Sequence, residues 1–304
     1  MDRKGSKETK LSLSWTKNMK YAVIDIGSNS VRLMISIDGQ TQHKYVKTTR
    51  LAEKMGDTCV LQDVPMERTA DAVSFFVNQA KEEIADKIYV FATAAVRQAV
   101  NKQQFIDLVS QKTGIIIDVI DGQVEASLGA LGAVGDNGAI IDVGGASSEV
   151  MVVKDSKSLF SKSIDVGAVK ITDKFGQDKD SIIDFVKTKV NEYGVIPNSN
   201  FFGIGGTATT LASISQKMKV YDPNLVHGYV ITTEDVKKVR DMLFSMSIEE
   251  RKNLDGLQKE RAEVIPSGVA LIYEILVKAN AKQITISESD NLEGYLIIKR
   301  REDE

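Results

Sequence analysis

Short apolar runs alternate with amphipathic segments along the chain, and this pattern indicates an α/β protein. A helix is predicted near 66–85 because Ala72, Val73, Phe76, Val77 and Ala80 fall on one helical face. The other elements predicted in the first part of the chain are strands at about 21–26, 31–37, 43–48, 88–92 and 115–120 and helical segments at 94–99 and through 105–109.

The same order of elements recurs loosely after residue 138, which indicates two related halves. The elements predicted there are strands at 139–143, 148–153, 158–165 and 201–204 and helices near 167–175, 179–193 and 207–218. Four prolines and no long glycine or serine cluster leave no flexible linker between the halves. We therefore expect a duplicated α/β fold with mixed sheets and a cleft between closely joined domains.

The C-terminal region is predicted to hold two helices and a strand. The stretch 260–281 has the apolar spacing of one long helix interrupted at Pro266, and a strand follows at 283–287. A last helix from Asn291 to Arg300 is expected to pack back on the first domain.

Composition narrows the class of protein. At 304 residues, with 27% charged and 42% hydrophobic residues, the chain is an ordinary globular protein of two-domain size. The net charge of −3 gives no basic field for nucleic acid or a membrane surface. The chain has one cysteine and no long apolar run, which indicates a cytoplasmic protein. The polar first segment, 1–18, is expected to be a disordered tail, or to precede a true start at Met19.

Two motifs place an acid, glycines and small hydroxyl residues between apolar runs. They are Asp25-Ile26-Gly27-Ser28-Asn29-Ser30 and Asp142-Val143-Gly144-Gly145-Ala146-Ser147-Ser148-Glu149. Each predicts a β-hairpin with a tight glycine turn. Glycine lets backbone N–H groups approach a ligand closely and hydroxyls add donors, so both turns can bind phosphate oxygens. The predicted phosphate-binding residues are Gly27, Ser28, Asn29, Ser30, Gly144, Gly145, Ser147 and Ser148.

The aspartate before the first turn predicts a metal ion. A carboxylate does not bind an anion directly, so Asp25 fits a phosphate site if a divalent cation lies between the two. Hard cations such as Mg²⁺ take carboxylate and water oxygens. We therefore expect Mg²⁺ beside Asp25.

A third glycine element, Phe202-Gly203-Ile204-Gly205-Gly206-Thr207, joins a strand to a helix. Alone, it is better explained as a tight strand-to-helix connection with Thr207 as the helix N-cap. Three such elements at strand ends in a duplicated chain are harder to explain by packing. Gly205, Gly206 and Thr207 therefore join the predicted phosphate site.

Together these motifs resemble the exopolyphosphatase and guanosine pentaphosphate phosphohydrolase family, in its short two-domain form, within the actin, sugar kinase and Hsp70 superfamily. The resemblance covers about Met19 to Ile298, and further matching stretches are 91–99, 119–126, 165–168, 227–229 and 261–268. It implies duplicated ribonuclease H-like, actin-like ATPase domains. The first would span 19–122 with the C-terminal helix 292–304, and the second 123–291.

The resemblance also implies roles for particular residues. Glu125 would be the catalytic base, at the start of the helix that links the halves, and Arg97 would face phosphate. Asp25 and Asp142 would hold Mg²⁺, partly through water, with Glu149 as a third acidic candidate. The family also implies a homodimer.

Two departures from the family pattern stand out. Ala146 replaces the third of three consecutive glycines, and its methyl group is expected to narrow the approach to phosphate. The stretch Asn291-Leu292-Glu293-Gly294 lacks the arginine of the family's glycine-leucine-arginine-glutamate-glycine pattern.

The leading functional hypothesis is Mg²⁺-dependent release of terminal phosphate from inorganic polyphosphate. Hydrolysis of guanosine pentaphosphate needs the same chemistry and stays open. A polyphosphate preference predicts a basic exit groove, for which Lys170, Lys174, Lys217 and Lys219 are candidates. Two other classes also stay open, an ATP-dependent kinase with an aspartate base for a substrate hydroxyl and a non-catalytic sensor that binds guanosine tetraphosphate.

Overall fold

A computed structural model describes residues 18–303 except 135, 136 and 156, so the N-terminal segment 1–17 lies outside the described residues. The first sheet comprises β1 (Lys20–Ile26), β2 (Ser30–Ile37), β3 (Gln40–Thr48), β4 (Lys87–Ala92) and β5 (Asp118–Val119). Its order is β3-β2-β1-β4-β5, with β1 antiparallel to β2 and parallel to β4.

The second sheet has the same plan with one further strand. It comprises β6 (Gly138–Val143), β7 (Ser148–Lys154), β8 (Lys157–Ile164), β9 (Phe201–Ile204), β10 (Val230–Thr232) and β11 (Gln283–Ile286). Its order is β10-β11-β9-β6-β7-β8, so β6, β7, β8 and β9 correspond to β1, β2, β3 and β4. Two mixed sheets with the same strand plan confirm the predicted fold class.

Helices connect and flank the strands. Those of the first half are α1 (Asp63–Glu82), α2 (Ala94–Gln98), α3 (Lys102–Thr113) and α4 (Gly122–Ala133). Those of the second half are α5 (Ala168–Phe175), α6 (Lys179–Lys189), α7 (Gly205–Ser215), α8 (Pro223–Val226), α9 (Thr233–Ser245), α10 (Ile248–Arg251), α11 (Ile265–Lys278) and α12 (Asn291–Asp303). Among the described residues, no helix has the length and apolar character needed to cross a bilayer.

The C-terminal helix α12 packs on the first sheet, as expected. Its Tyr295 ring stacks on Phe91 of β4, with ring centroids 4.5 Å apart, and Leu292 and Leu296 are buried in the same cluster. Helix α4 lies between the halves, because Leu128 joins that cluster while Ala126 and Ala130 pack against strands of the second sheet. In sequence, the strands of the first sheet precede the predicted domain boundary at residue 122, and those of the second sheet follow it. The exact position of this boundary stays a prediction.

Two predicted elements are wrong in extent. The strand predicted at 115–120 is reduced to β5, because Gly114 ends α3 in a left-handed conformation and the Ile115 N–H bonds to Thr113 Oγ1. The long helix predicted over 260–281 begins only at Ile265. Pro266 lies in its first turn, where the missing N–H costs no helical hydrogen bond.

Candidate active site

The two predicted hairpins form and their turns face each other. The Gly27 N–H donates to the Ser30 carbonyl oxygen, and the Gly144 N–H donates to the Ser147 carbonyl oxygen, each at 3.0 Å. A Cβ atom placed on Gly145 would lie only 2.7 Å from Ser28 Cβ, so the turns touch across the gap between the sheets. Glycine is therefore needed at 145 for this close approach.

A cavity of about 90 Å³ lies where the turns meet. Most of the predicted site residues line it. They are Asp25, Gly27, Ser28, Asn29, Ser30, Glu125, Asp142, Gly144, Gly145, Ser147, Gly205, Gly206 and Thr207. The structure thus brings the three glycine elements and three of the predicted acids to one place.

Three predicted site residues stay outside the lining of this site cavity. Ser148 is buried behind the second turn, where the Tyr193 hydroxyl lies 2.8 Å from both its hydroxyl and its carbonyl oxygen. Glu149 accepts a hydrogen bond of 2.7 Å from Ser163 Oγ. Arg97 donates to Glu125 at 2.8 Å, so in this structure it holds the predicted base and does not reach the cavity itself.

Glu125 is positioned by the start of α4. The Asp121 carboxylate caps this helix by accepting the N–H groups of Gln123 and Val124, each at 2.8 Å, which puts Glu125 in the first turn. Burial raises the Glu125 pKa to about 7, although the neighbouring Arg97 charge acts to lower it. A carboxylate with a pKa near neutrality can take a proton from water at physiological pH.

The duplicated hairpins differ in the residue opposite each aspartate. Asp25 pairs across the strands with Arg32, whose Nε donates to it at 3.0 Å, whereas Asp142 pairs with Glu149. Burial, and then the nearby Glu125 charge, raise the Asp142 pKa to about 8. Burial raises the Glu149 pKa well above its ordinary value. The second hairpin therefore places two buried acids opposite each other, and the Arg32 charge acts to lower the Asp142 pKa.

Several buried polar atoms around the cavity have no hydrogen-bond partner within the described part of the chain. They are Asp25 Oδ1, both side-chain polar atoms of Asn29 and Asn291 Oδ1. Buried polar atoms are rarely left unpaired, so these atoms indicate a bound ligand.

Asp25 and Asp142 fit a Mg²⁺ site. The ion is typically held by one or two carboxylates, with water and substrate phosphates completing the shell. Asp25 Oδ1 has no hydrogen-bond partner among the described residues, and a bound cation would favour the charged form of Asp142 against the burial that raises its pKa. Among the described residues, no group of three or more acids, histidines or cysteines could hold an ion unaided.

Of the residues that line the site cavity, sequence reasoning missed two arginines and an asparagine, Arg32, Arg261 and Asn291. Arg32 bridges two carboxylates, Asp25 and Asp290. Among the described residues, the Arg261 guanidinium has one hydrogen bond, from its Nε to Gln258 Oε1 at 3.2 Å, and no ion pair. Burial, and then the Arg32 charge, lower the Arg261 pKa to about 10. Arg261 lies in one of the matching stretches and Arg32 follows the first glycine motif, but nothing local distinguished either residue.

Two sequence expectations about the turns change. Ala146 is fully buried and its methyl group does not line the site cavity, so it leaves the approach to phosphate open. Thr207 is not the N-cap of α7, which begins at Gly205. Its hydroxyl instead donates to the Val143 carbonyl oxygen at 2.7 Å and ties the third glycine element to the second turn.

Paired sheets with an acidic, glycine-lined cavity between them define a two-domain protein of the actin-like ATPase fold. A model of the Ppx/GppA phosphatase family matches residues 35–300, and the chain belongs to this family. The expected hydrolase class is thereby confirmed.

The chain is similar to proteins named exopolyphosphatase and to proteins named for guanosine pentaphosphate hydrolysis. Exopolyphosphatase 2 of Mycobacterium tuberculosis is 28% identical, over 91% of this chain and 98% of the relative. The guanosine-5'-triphosphate,3'-diphosphate pyrophosphatase of Photobacterium profundum is 27% identical, over 91% of this chain but 58% of the relative. The chain also spans only 47% of a bifunctional 3-dehydroquinate synthase/phosphatase of Fusobacterium nucleatum, at 30% identity. A solved Ppx/GppA family member from Aquifex aeolicus has a TM-score of 0.77 and 27% identity, over 94% of this chain and 98% of its own.

The raised acid pKa values predict how stability depends on pH. Folding raises the pKa values of Glu125 and Asp142, so their protonated forms are favoured in the folded state. This contribution is fully present below the unfolded pKa values of about 4 and is lost as pH rises through about 7 to 8. With a chelator present to remove metal ions, we expect the melting temperature of wild type to decrease as the pH rises from about 5 to about 8.5. In Asp142→Asn this decrease should be smaller. Scanning calorimetry measures both melting temperatures across this pH range. The same pH dependence in wild type and in Asp142→Asn would contradict the prediction.

Proposed function

We propose that the chain is a Mg²⁺-dependent phosphoanhydride hydrolase that removes the terminal phosphate of inorganic polyphosphate or of guanosine pentaphosphate. The observation that carries the proposal is the Glu125 carboxylate, with a pKa of about 7, on the same cavity as both glycine turns. Both substrates end in the same phosphoanhydride, so the residues at the turns serve either one.

The cavity offers donors and positive charge for a phosphate group. Backbone N–H groups of the turns and the hydroxyls of Ser28 and Ser147 would bind its oxygens. Arg261 has no ion pair among the described residues, so its guanidinium is available to phosphate oxygens. Asp25 and Asp142 would hold Mg²⁺, which when bound supplies further neutralisation of the phosphate chain.

Glu125 would orient and deprotonate the attacking water. The water oxygen forms a bond to the terminal phosphorus, its proton goes to the Glu125 carboxylate, and the bond to the bridging oxygen breaks. The products are inorganic phosphate and a chain shortened by one phosphate. Arg97 favours the charged form of Glu125 before the attack and holds the carboxylate in place.

A phosphate-release panel tests this proposal. Long-chain polyphosphate, tripolyphosphate, guanosine pentaphosphate and ATP would each be incubated with and without Mg²⁺, and with no acceptor present. We expect release from at least one of the first three, and a loss of at least about 100-fold on chelation that added Mg²⁺ reverses. Release only from ATP with a sugar present would favour a kinase, and tight guanosine tetraphosphate binding without turnover would favour a sensor.

The predicted lysine groove receives no support as one continuous feature. Lys170 and Lys174 line a separate cavity beside α5, whereas Lys217 and Lys219 follow the end of α7. A polyphosphate chain would therefore have to find other cations beyond the site cavity.

A further inference from the structure

The segment that follows β3 supports the first glycine turn from behind. The N–H groups of Thr49 and Arg50 both donate to the Asn29 carbonyl oxygen, at 3.0 and 2.9 Å. The Ala52 N–H donates to the Ser28 carbonyl oxygen at 2.9 Å. Both acceptors belong to residues that line the site cavity. A shift of this segment would therefore move the turn that is proposed to bind phosphate.

Arg50 has an unusual backbone conformation in this segment. Its φ is 49°, in the left-handed region, which a residue with a Cβ atom rarely adopts. Such conformations persist only where the surrounding structure enforces them, and they are common at ligand-binding sites. In Arg50 the N–H bonds to the first turn, while the side chain extends to the second domain.

The Arg50 guanidinium joins the first domain to the segment that carries Arg261. Its Nη1 donates to Glu263 Oε2 and its Nη2 donates to the Glu260 carbonyl oxygen, each at 2.9 Å. These two acceptors flank Arg261 in the sequence. Val264, the residue after Glu263, lines the site cavity and packs in a core cluster made mainly of first-domain residues. Arg50 is thus bonded both to the first turn and to the segment of Arg261.

The ion pair between Arg50 and Glu263 is too exposed to contribute much to stability. The two side chains are 34% and 43% exposed, and ion pairs with this exposure add little to the free energy of unfolding. The guanidinium does fix a direction, because its planar fork donates to two acceptors at once. The contact therefore indicates a role in positioning the segment of Arg261.

We propose that Arg50 is a positioning residue that sets the distance between the first glycine turn and Arg261, so that both contact the same phosphate group. This inference rests on the proposed function, because it requires a phosphate in the site cavity. Contacts within the second domain fix the other side of Arg261, since its guanidinium lies against Gly206, where a Cβ atom would collide with it. Arg50 supplies the corresponding contact with the first domain.

A double-mutant cycle tests this inference with the best substrate of the phosphate-release panel. We expect Arg50→Gln to lower kcat/KM about 10- to 100-fold, the size that a displacement of about 1 Å in the site can cause. In the Arg261→Gln background the same substitution should change kcat/KM by less than about threefold, because the group that it positions is gone. Arg50→Lys keeps the charge but not the planar fork, so its loss should be smaller. The melting temperature of Arg50→Gln should stay within about 2 °C of wild type.

Arg68→Gln is a matched control for this cycle. Arg68 also holds the segment, because it donates to the Thr49 carbonyl oxygen at 2.6 Å and to Glu53 Oε2 at 2.8 Å, but both contacts lie within the first domain. Its substitution should lower kcat/KM by less than about threefold. A loss as large as that of Arg50→Gln, or equal losses from Arg50→Gln with and without Arg261, would overturn the positioning role.

Binding without turnover separates this inference from the proposed function. Tripolyphosphate would be titrated by calorimetry, with Mg²⁺ present, into protein that carries Glu125→Gln. Arg50→Gln should weaken this binding about 10-fold, and by less than about threefold once Arg261→Gln is added. If no substrate releases phosphate but this coupling is seen, the proposed function fails and the positioning role stands. If phosphate is released but the two substitutions act independently on affinity, the positioning role fails, and if tripolyphosphate does not bind at all, both fail.

Discussion

Replacing Glu125 with glutamine is expected to lower kcat for terminal phosphate release by roughly 10²- to 10⁴-fold, the usual contribution of a general base. The amide has the same shape and can still accept the Arg97 hydrogen bond, but it cannot take a proton from water. Burial disfavours the charged form of Glu125, whereas its loss leaves Arg97 without an opposite charge, so the two effects offset and the melting temperature at neutral pH should stay close to that of wild type. Phosphate release and calorimetry on the same preparation check both outcomes.

A matched control for this substitution is Glu274→Gln. Glu274 is also buried, 5% exposed against 7% for Glu125, and it also faces an arginine, Arg240. It lies on α11, away from the lining of the site cavity, so kcat should stay within about twofold of wild type. If Glu125→Gln retained more than a tenth of the wild-type kcat, the base would have to be another group.

Local sequence patterns were sufficient to predict the parts of the site formed by nearby residues. Each glycine turn is closed by a hydrogen bond between residues three apart, so the residue types within one motif determine it. The start of α4 is similar, because Asp121 caps the helix that carries Glu125. The repeated hairpin then indicated that the chain has two related domains. Two closely joined domains in turn indicated a cleft between them. These steps need no knowledge of distant contacts.

The partners of charged groups could not be predicted in this way. Asp290 reaches Arg32 from the far end of the chain, and Tyr221 meets Glu288 across 67 positions. Whether Arg97 contacts a phosphate or a carboxylate depends on how α2 packs against α4. The pattern of hydrophobic residues does not predict that packing. The predicted strand at 115–120 was too long because Gly114 and the Thr113 hydroxyl fix the chain just before β5. The sequence therefore predicted the parts of the site but not how its charges are paired.

Arg261→Gln is expected to lower kcat/KM by about 10²- to 10³-fold, the usual cost of removing one donor to developing charge. The wild-type guanidinium has one neutral hydrogen-bond partner, and its pKa is lowered by burial. A desolvated charge without an opposite charge destabilises the folded state, so its removal should raise the melting temperature of the ligand-free protein by about 2 °C. Loss of activity together with a gain in stability is the outcome expected of a group that is held for a ligand.

Arg251 provides the control, because it is a buried arginine whose guanidinium, unlike that of the half-buried Arg261, has several hydrogen-bond acceptors. Its guanidinium donates four hydrogen bonds, two of them to the Met246 carbonyl oxygen and one each to Gln177 Oε1 and the Ala262 carbonyl oxygen. Arg251→Gln leaves several of these acceptors unpaired, so it should destabilise the fold by about 2 kcal/mol and leave kcat/KM nearly unchanged below the melting temperature. If Arg261→Gln behaved in the same way, with lower stability and normal kcat/KM, its guanidinium would be a packing group. The melting temperature is expected to rise in Arg261→Gln and to fall in Arg251→Gln. This difference distinguishes an arginine that is available to bind phosphate from an arginine that stabilises the fold.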